Sequence, residues 1–362
     1  LERRRQDAAD LGAAVVLSAV REFTSRPFKD DPMRHVKFGR TGLRVSALCL
    51  GTMTFGLQCE EDTSRAIMDR AAEGGINFFD TADVYPLGGD RATAGRTEEI
   101  VGRWLAGKRH DYILATKCVG QMGPNLWDQG MSRKHILDAI DASLKRLNTD
   151  YVDLYQLHGF DPATPIDEAL EALDAVVRSG KARYIGVSNW MGHRVARALG
   201  RSEVKGLVRI DSTQPRYNLL FRAFERDLLP LCEEEQIAVI PYNPLAGGLL
   251  TGKHRLEAKP NEGRFNLGRA GAMYQQRYWH QNEFETIERL KGIAKEAGVS
   301  LTTLAVSWVL ANPAITAPIV GASRPDQLAD SLAAVENGPM AQDLKDTLDE
   351  LTRPWRAVDA ER

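Results

Sequence analysis

No run of apolar residues in this chain approaches the ~20 needed to cross a bilayer as a helix. No block of one charge sign stands out from Met33 onward either, and overall 47 Lys and Arg stand against 49 Asp and Glu, for a formal net charge of −2. Phosphate-backbone binders carry a basic face, so neither a membrane nor nucleic acid is an expected partner. Cysteine is scarce. The four present, Cys49, Cys59, Cys118 and Cys232, show no C-x-x-C or metal-ligand spacing, which argues against a disulfide framework or structural zinc. They read as reduced thiols of a cytoplasmic protein. A zinc hydrolase is excluded by the lack of any His/Cys ligand cluster, and no metal is expected. No G-x-G-x-x-G follows the first strand, so a doubly wound dinucleotide-binding fold is unsupported. A Tyr-x-x-x-Lys pair is missing as well, since Tyr112 and Lys117 are five apart.

What is present is an ordinary globular balance over 362 residues, 43% hydrophobic and 27% charged. Residues 1–32 stand apart. A basic cluster precedes the apolar stretch Leu11 to Val20, the outline of a secretory signal. Asp7 and Asp10 interrupt that outline, and no small-x-small cleavage site follows. Gln6 and Asp7 also occupy places where a twin-arginine signal needs bulky apolar residues. Residues 1–32 are therefore expected to be an extension outside the fold, with 33–362 a single domain.

From Met33 the pattern regularises. "MRHVKFGRTGLRVSALCLG" sets Thr41-Gly42 between two alternating runs, a β-hairpin signature. Short apolar strands then alternate with helical segments. The strands read as 47–50, 77–79, 112–115, 152–157, 183–187, 208–212, 237–240 and 316–320. The helices between them read as 63–73, 97–105, 133–147, 166–177, 192–199 and 224–235. A long loop follows strand seven, then helices at 283–296 and 301–310, and a last one near 327–335. Alternating βα units predict a parallel sheet, and eight of them fit a closed (β/α)₈ TIM barrel.

A barrel gathers chemistry at the carboxyl ends of its strands. In chain order those ends read Gly51-Thr52-Met53, Asp80, Lys117, His158, Ser188-Asn189, Gln214, Tyr242-Asn243 and Gly321-Ala322-Ser323. Each has a structural alternative: Asp80 as a turn cap, Tyr85 as a packing residue, Lys117 as an exposed strand end, His158 as a satisfied core histidine. Chance explains the four together poorly. A phenol near pKa 10 is a slow acid at neutral pH. A neighbouring ammonium lowers that value, and a carboxylate keeps the ammonium charged and in place. The set thus reads as Tyr85 the general acid, Lys117 its tuner, Asp80 the anchor of Lys117 and His158 an orienting donor. These groups can protonate a developing alkoxide but supply no hydride, so a cofactor must, and nicotinamide is the natural candidate.

The sequence resembles the aldo-keto reductases from Met33 nearly to Trp355. The motifs that carry the likeness are "CLGTMTFG", "NFFDTADVY", "ILATK", "VDLYQLHG", "YIGVSN", "STQPRYN", "PYNPLAGGLLTGK" and "PIVGASRPDQLADS". The resemblance implies a catalytic tetrad of Asp80, Tyr85, Lys117 and His158. It implies that Ser188, Asn189 and Gln214 hold the nicotinamide carboxamide while Tyr242 stacks on the ring. Ser323, Arg324 and Gln327, with Lys253 and Arg264, would surround the adenosine phosphate. Gly51, Thr52, Met53, Asp80, Asn243, Leu245, Gly247, Gly321 and Ser331 complete the implied cofactor set. The added cations favour NADPH (NADP+) over NADH. Two departures from the family pattern stand out: Ser331, where asparagine is frequent, and Gly321-Ala322, where many relatives have Lys-Ser.

From spacing alone, "LAGGLLTGK" is either a phosphate-approaching loop or a plain turn. "GASRPDQ" opens the last helix with Ser323 suited to cap it and Pro325 to its first turn. Met53, Phe55, Trp127, Trp190 and the cluster "MYQQRYW" (Tyr274, Tyr278, Trp279) are candidate walls of a substrate pocket, with packing the alternative for each tryptophan; Trp104 and Trp308, on helices, read as packing. The polar loop "PLGGDRATAGRT" suits a carbonyl or sugar-like small molecule. The favoured function is reduction of an aldehyde or ketone to the alcohol. Two other readings stand beside it: an aldolase using Lys117 as a Schiff base, and an NADPH-binding regulatory subunit such as the potassium-channel β subunits that resemble the family. Nothing in the chain selects an oligomeric state.

Overall fold

The structure, a computed structural model, describes residues 33–258, 260 and 263–358. The expectation for residues 1–32 falls outside them.

The chain opens with the hairpin. β1 (His35–Lys37) pairs antiparallel with β2 (Arg44–Ser46), Lys37 facing Arg44. Thr41 closes the turn: its hydroxyl donates to the Phe38 carbonyl at 2.7 Å and accepts from the Leu43 N–H at 3.2 Å. Eight parallel strands follow: β3 (Cys49–Gly51), β4 (Phe78–Asp80), β5 (Ile113–Cys118), β6 (Val152–Leu157), β7 (Ala182–Ser188), β8 (Ser212–Gln214), β9 (Ala238–Val239) and β10 (Ile319–Gly321). From β3 to β9 each pairs with the next in sequence, and β10 pairs back with β3. Bridges Val239–Ile315 and Tyr242–Ile319, with the Ile319 N–H donating to the Pro241 carbonyl at 2.8 Å, join the two remaining edges. The sheet curls into the (β/α)₈ barrel expected from the alternation.

Two apolar layers hold it. Outside the sheet, helices bury stripes at helical spacing: α4 (Ile166–Arg178) turns Ile166, Ala169, Leu170, Leu173 and Val176 inward. The others on this shell are α1 (Glu61–Glu73), α2 (Arg96–Leu105), α3 (Arg133–Leu147), α5 (Gly192–Lys205) and α6 (Leu228–Glu234). Ser132 caps α3 by accepting from the His135 N–H at 3.2 Å. Inside the barrel, Phe38 and Val45 of the hairpin pack with Cys49, Phe78, Leu154 and Ala238. The hairpin is tied to the strand-start end: the Arg40 N–H donates to the Gln236 carbonyl at 2.8 Å. Gly39, at φ +55°, approaches that carbonyl so closely that a β-carbon would stand 2.5 Å from it.

Three elements differ from expectation. β8 forms at Ser212–Gln214, later than 208–212, because the Val208 N–H is already bonded to the Asp174 carboxylate at 2.9 Å. The segment after β9 contains a helix, α7 (Gly268–Tyr278), which glycines at 268 and 271 concealed. α8 (Gln281–Glu296), α9 (Leu301–Leu310) and α10 (Ala329–Glu336) follow as expected, and α11 (Gln342–Leu351) is a further helix that buries Leu348 alone. Among the described residues, no single helix is long and apolar enough to cross a membrane.

Candidate active site

β4 ends on Asp80, and the chain beyond it stays bonded to β5. The Thr81 N–H donates to the Ala115 carbonyl at 2.9 Å and the Asp83 N–H to the Lys117 carbonyl at 3.1 Å. This pairing aims Asp80 and Tyr85 at the lysine of the neighbouring strand. Lys117 is wholly buried. Its Nζ donates to Asp80 Oδ1 at 2.5 Å and to the Thr81 carbonyl at 2.8 Å, and lies 3.4 Å from the Tyr85 hydroxyl. The second Asp80 oxygen accepts from Gln156 Nε2 at 3.1 Å and Gln214 Nε2 at 2.9 Å. His158 sets its ring edge-on to Tyr85, centroids 5.6 Å apart. Its carbonyl accepts from the Asn189 amide at 2.9 Å.

The electrostatics follow from burial and charge. Burial alone would lower the lysine's pKa; the charge of Asp80, then Tyr85, more than offsets it, and Lys117 stays above its usual value. His158 is pushed down to about 3 by burial and by Lys117, so its imidazole is neutral at ordinary pH. The phenol differs from expectation. Burial raises Tyr85 above its usual value, and the Lys117 ammonium recovers only part of that shift. The proton is therefore firmly on the phenol.

The tetrad opens into a cavity of about 810 Å³ over the carboxyl ends of the strands, a size suited to a cofactor and small ligand. Gly51, Met53, Asp80, Tyr85 and His158 line its inner part. Ser188, Asn189 and Gln214 border it from β7 and β8. Tyr242, Asn243, Leu245, Gly247, Lys253 and Arg264 border it after β9, and Gly321, Ser323, Arg324 and Gln327 after β10. Thr52 and Ser331 are buried behind the wall, Thr52 donating to the Asp80 carbonyl at 2.9 Å.

The wall is shaped for close approach of a ligand. Asn189, Asn243 and Ala246 take positive φ of 60°, 67° and 49°, an arrangement that costs stability and clusters at functional sites. Tyr242 donates its hydroxyl to Asn189 Oδ1 at 2.9 Å, fixing its ring over the β7 side. At Gly248 a β-carbon would meet nothing within 4 Å, so the backbone there is bare. The Ser323 N–H donates to Gln327 Oε1 at 2.8 Å, holding the β10 turn. Arg264 brings its guanidinium within 3.8 Å of a β-carbon placed at Gly321, spanning from the β9 side to the β10 side. Bare backbone, an amide-rich end and a cationic end match a nicotinamide dinucleotide in outline.

Of the expected pocket walls, Met53 and Tyr274 line the cavity, whereas Phe55, Trp127, Trp190, Tyr278 and Trp279 do not. Phe55 is fully buried in the outer core. Trp190 is 1% exposed and packs edge-on against Phe160, centroids 5.0 Å apart. Trp127 is 54% exposed at the tip of the loop after β5. That loop bonds to itself, Met122 to Asp128 at 2.9 Å and Gly130 to Val119 at 2.8 Å, and holds the indole outside the cavity. Gln156, absent from the expected site, carries half of the support for the second Asp80 oxygen. Its signal was a lone amide in the apolar strand "VDLYQL".

A barrel that buries an ammonium between a carboxylate and a phenol, beside a cleft fitted for a dinucleotide, defines a nicotinamide-dependent oxidoreductase. The sequence profile of the Aldo/keto reductase family matches residues 47–353, and the chain belongs to that family. It is 41% identical to the "Uncharacterized oxidoreductase YrpG" of Bacillus subtilis, over 84% of this chain and 91% of that protein. It is 37% identical to the "Probable voltage-gated potassium channel subunit beta" of Arabidopsis thaliana, over 85% and 93%. It is 35% identical to "Protein tas" of Escherichia coli, over 84% and 93%.

Proposed function

We propose that the protein reduces an aldehyde or ketone to its alcohol with NADPH, Tyr85 supplying the proton. The observation that carries this reading is the 3.4 Å approach of Lys117 Nζ to the Tyr85 hydroxyl, at the inner end of the cavity. A bound nicotinamide supplies the hydride. The chain's own residues do the rest. The neutral imidazole of His158 donates an N–H to the carbonyl oxygen and orients it. As negative charge grows on that oxygen, its proton affinity overtakes that of the phenolate, and Tyr85 releases its proton. The phenolate left behind faces an ammonium already in place, so little reorganises during the step. Asp80, braced by Gln156 and Gln214, keeps that ammonium charged. Such a lysine is a poor Schiff-base nucleophile, which needs a neutral amine.

The preference for NADPH rests on Lys253, Arg264 and Arg324 bordering the β9–β10 end of the cavity, where an added phosphate would lie. Residues 33–362 are read as one domain, since the described strands and both apolar layers lie there, and residues 1–32 as an extension. The cytoplasmic assignment rests on four buried free cysteines. NADPH fluorescence titration, followed by loss of NADPH absorbance with a panel of aldehydes, ketones and ketosugars, tests the reading. Binding with turnover supports it; no binding refutes the cofactor assignment.

A second reading has one observation in its favour, the 37% identity to a relative named as a potassium channel subunit beta. Tight NADPH binding, no turnover across the panel and an isolable partner complex would favour that regulatory role.

A further inference from the structure

The cavity wall carries one cation that the proposed cofactor site leaves unused. Arg277 lies on α7, whose face toward the cavity is formed by Met273, Tyr274 and Arg277, the first two lying four and three residues before Arg277 and so on its side of the helix. It is half-buried. No hydrogen bond or ion pair joins it to any described residue. Cations beside a ligand cavity are ordinarily paired with a carboxylate unless a ligand anion takes that place.

Its position separates it from the other cations. Lys253, Arg264 and Arg324 border the β9–β10 end, with Arg264 reaching toward Gly321. Arg277 instead acts on Tyr242, Tyr278 and Arg216. Arg216 lies two residues beyond Gln214 and bridges to Tyr242, on the side where Asn189 and Gln214 border the cavity. One turn along α7, the Tyr274 phenol lies close enough to influence Tyr85. The helix thus faces the reacting end, with a thioether, a phenol and a guanidinium unpaired among the described residues in succession.

We infer that Arg277 anchors an anionic group of the substrate, so that the preferred substrates are aldehydes or ketones bearing a carboxylate or phosphate. The inference rests on the reductase reading. A carbonyl held by Tyr85 and His158 leaves the rest of the molecule to run under α7 past Met273 and Tyr274 to the guanidinium. Arg suits this task because its planar fork matches both oxyacids.

Matched pairs test it: succinate semialdehyde against 4-oxobutanamide, 4-carboxybenzaldehyde against 4-carbamoylbenzaldehyde, and glyceraldehyde 3-phosphate against glyceraldehyde. The measurements are kcat/KM for wild type, Arg277→Gln and Arg277→Lys, and the Kd of NADPH and NADH for each. The expected result is a wild-type preference for at least one anionic member of about tenfold to a hundredfold, the size of a charge-assisted bond. Arg277→Gln should abolish that preference, Arg277→Lys restore part of it, and both Kd values stay within about twofold, well under the tenfold that one such bond is worth. The carboxylate and phosphate pairs show which oxyacid is taken. Equal rates within every pair, or a preference that survives Arg277→Gln, overturn the inference while leaving the reductase intact. A loss of NADPH affinity with NADH unchanged also overturns it, by giving Arg277 to the cofactor. Failure to reduce any carbonyl removes the reductase reading and this inference with it.

Discussion

Lys117 and Tyr85 meet at 3.4 Å in the buried end of the barrel, the ammonium held from behind by Asp80 at 2.5 Å. The phenol keeps its proton because burial outweighs the ammonium's pull. An acid that is fully protonated in the resting site and strengthened only as its conjugate base forms is well matched to a substrate whose basicity appears during the reaction.

Removing that proton is the direct test. Tyr85→Phe should lower kcat/KM for any reduced carbonyl by about 10²- to 10⁴-fold, the usual worth of a positioned acid. NADPH affinity, read by fluorescence titration, should be nearly unchanged. A variant that keeps most of its rate would place the acid elsewhere.

The lysine is structural as well as electrostatic. Lys117→Met leaves Asp80 buried without its ammonium, a loss of about 3–5 kcal/mol, measurable by urea unfolding. Adding Asp80→Asn should regain much of that stability and none of the activity.

His158 makes stability pH-dependent. Its folded pKa of about 3 lies below the unfolded value of about 6.5, so below pH 6.5 the unfolded chain takes up a proton that the native state refuses. This group then costs stability as pH falls, at about 1.4 kcal/mol per unit. His135, lowered chiefly by burial, acts in the same direction. Urea unfolding at pH 7 and pH 5 should show a smaller loss for His158→Gln than for wild type. Equal losses would mean that the imidazole is not held neutral.

Asp83 has the opposite sign. Both of its carboxyl oxygens are buried without a hydrogen-bond partner, and burial, then Glu98, raise its pKa well above the usual range. Its contribution is intact below the unfolded value of about 3.9 and is lost as pH rises toward the folded one. Asp83→Asn should gain stability over wild type at pH 8 and gain less at pH 5. A uniform loss at both would contradict this account.

Cofactor choice tests the cationic end. Arg264→Ala should weaken NADPH about tenfold to a hundredfold, the worth of a lost charge-assisted bond. NADH should change little, because it lacks the phosphate. Equal weakening of both would assign Arg264 to the shared part of the dinucleotide.

Asp80, Lys117 and His158 were legible as a group because each sits at or just past the end of an apolar strand, with Tyr85 on the loop after the first of them, and strand ends are marked in sequence by the change from apolar to polar. Val152–Leu157 was delimited in full by its own composition. The packing reading of Trp104 also held, its indole donating to Asp69 at 2.7 Å. Less accessible was anything decided by the direction of a loop. Trp127 and Trp190 are both large aromatics just past strand ends, yet one points to solvent and the other into the core. α7 lacked an apolar period because its inward face contacts a cavity, so a binding surface was written in residues that look like loop. Gln156 went unread because a strand buried on both sides shows no alternation to mark which face meets the site.

Phe38 and Val45 fill the barrel from below while the cavity opens above. Among the described residues the hairpin fills the floor, so Tyr85 is approached from the mouth. On the reductase reading, with the nicotinamide beneath the carbonyl compound, the cofactor would enter first and leave last. The hairpin, remote from any reacting atom, would in this way set the order of events above it.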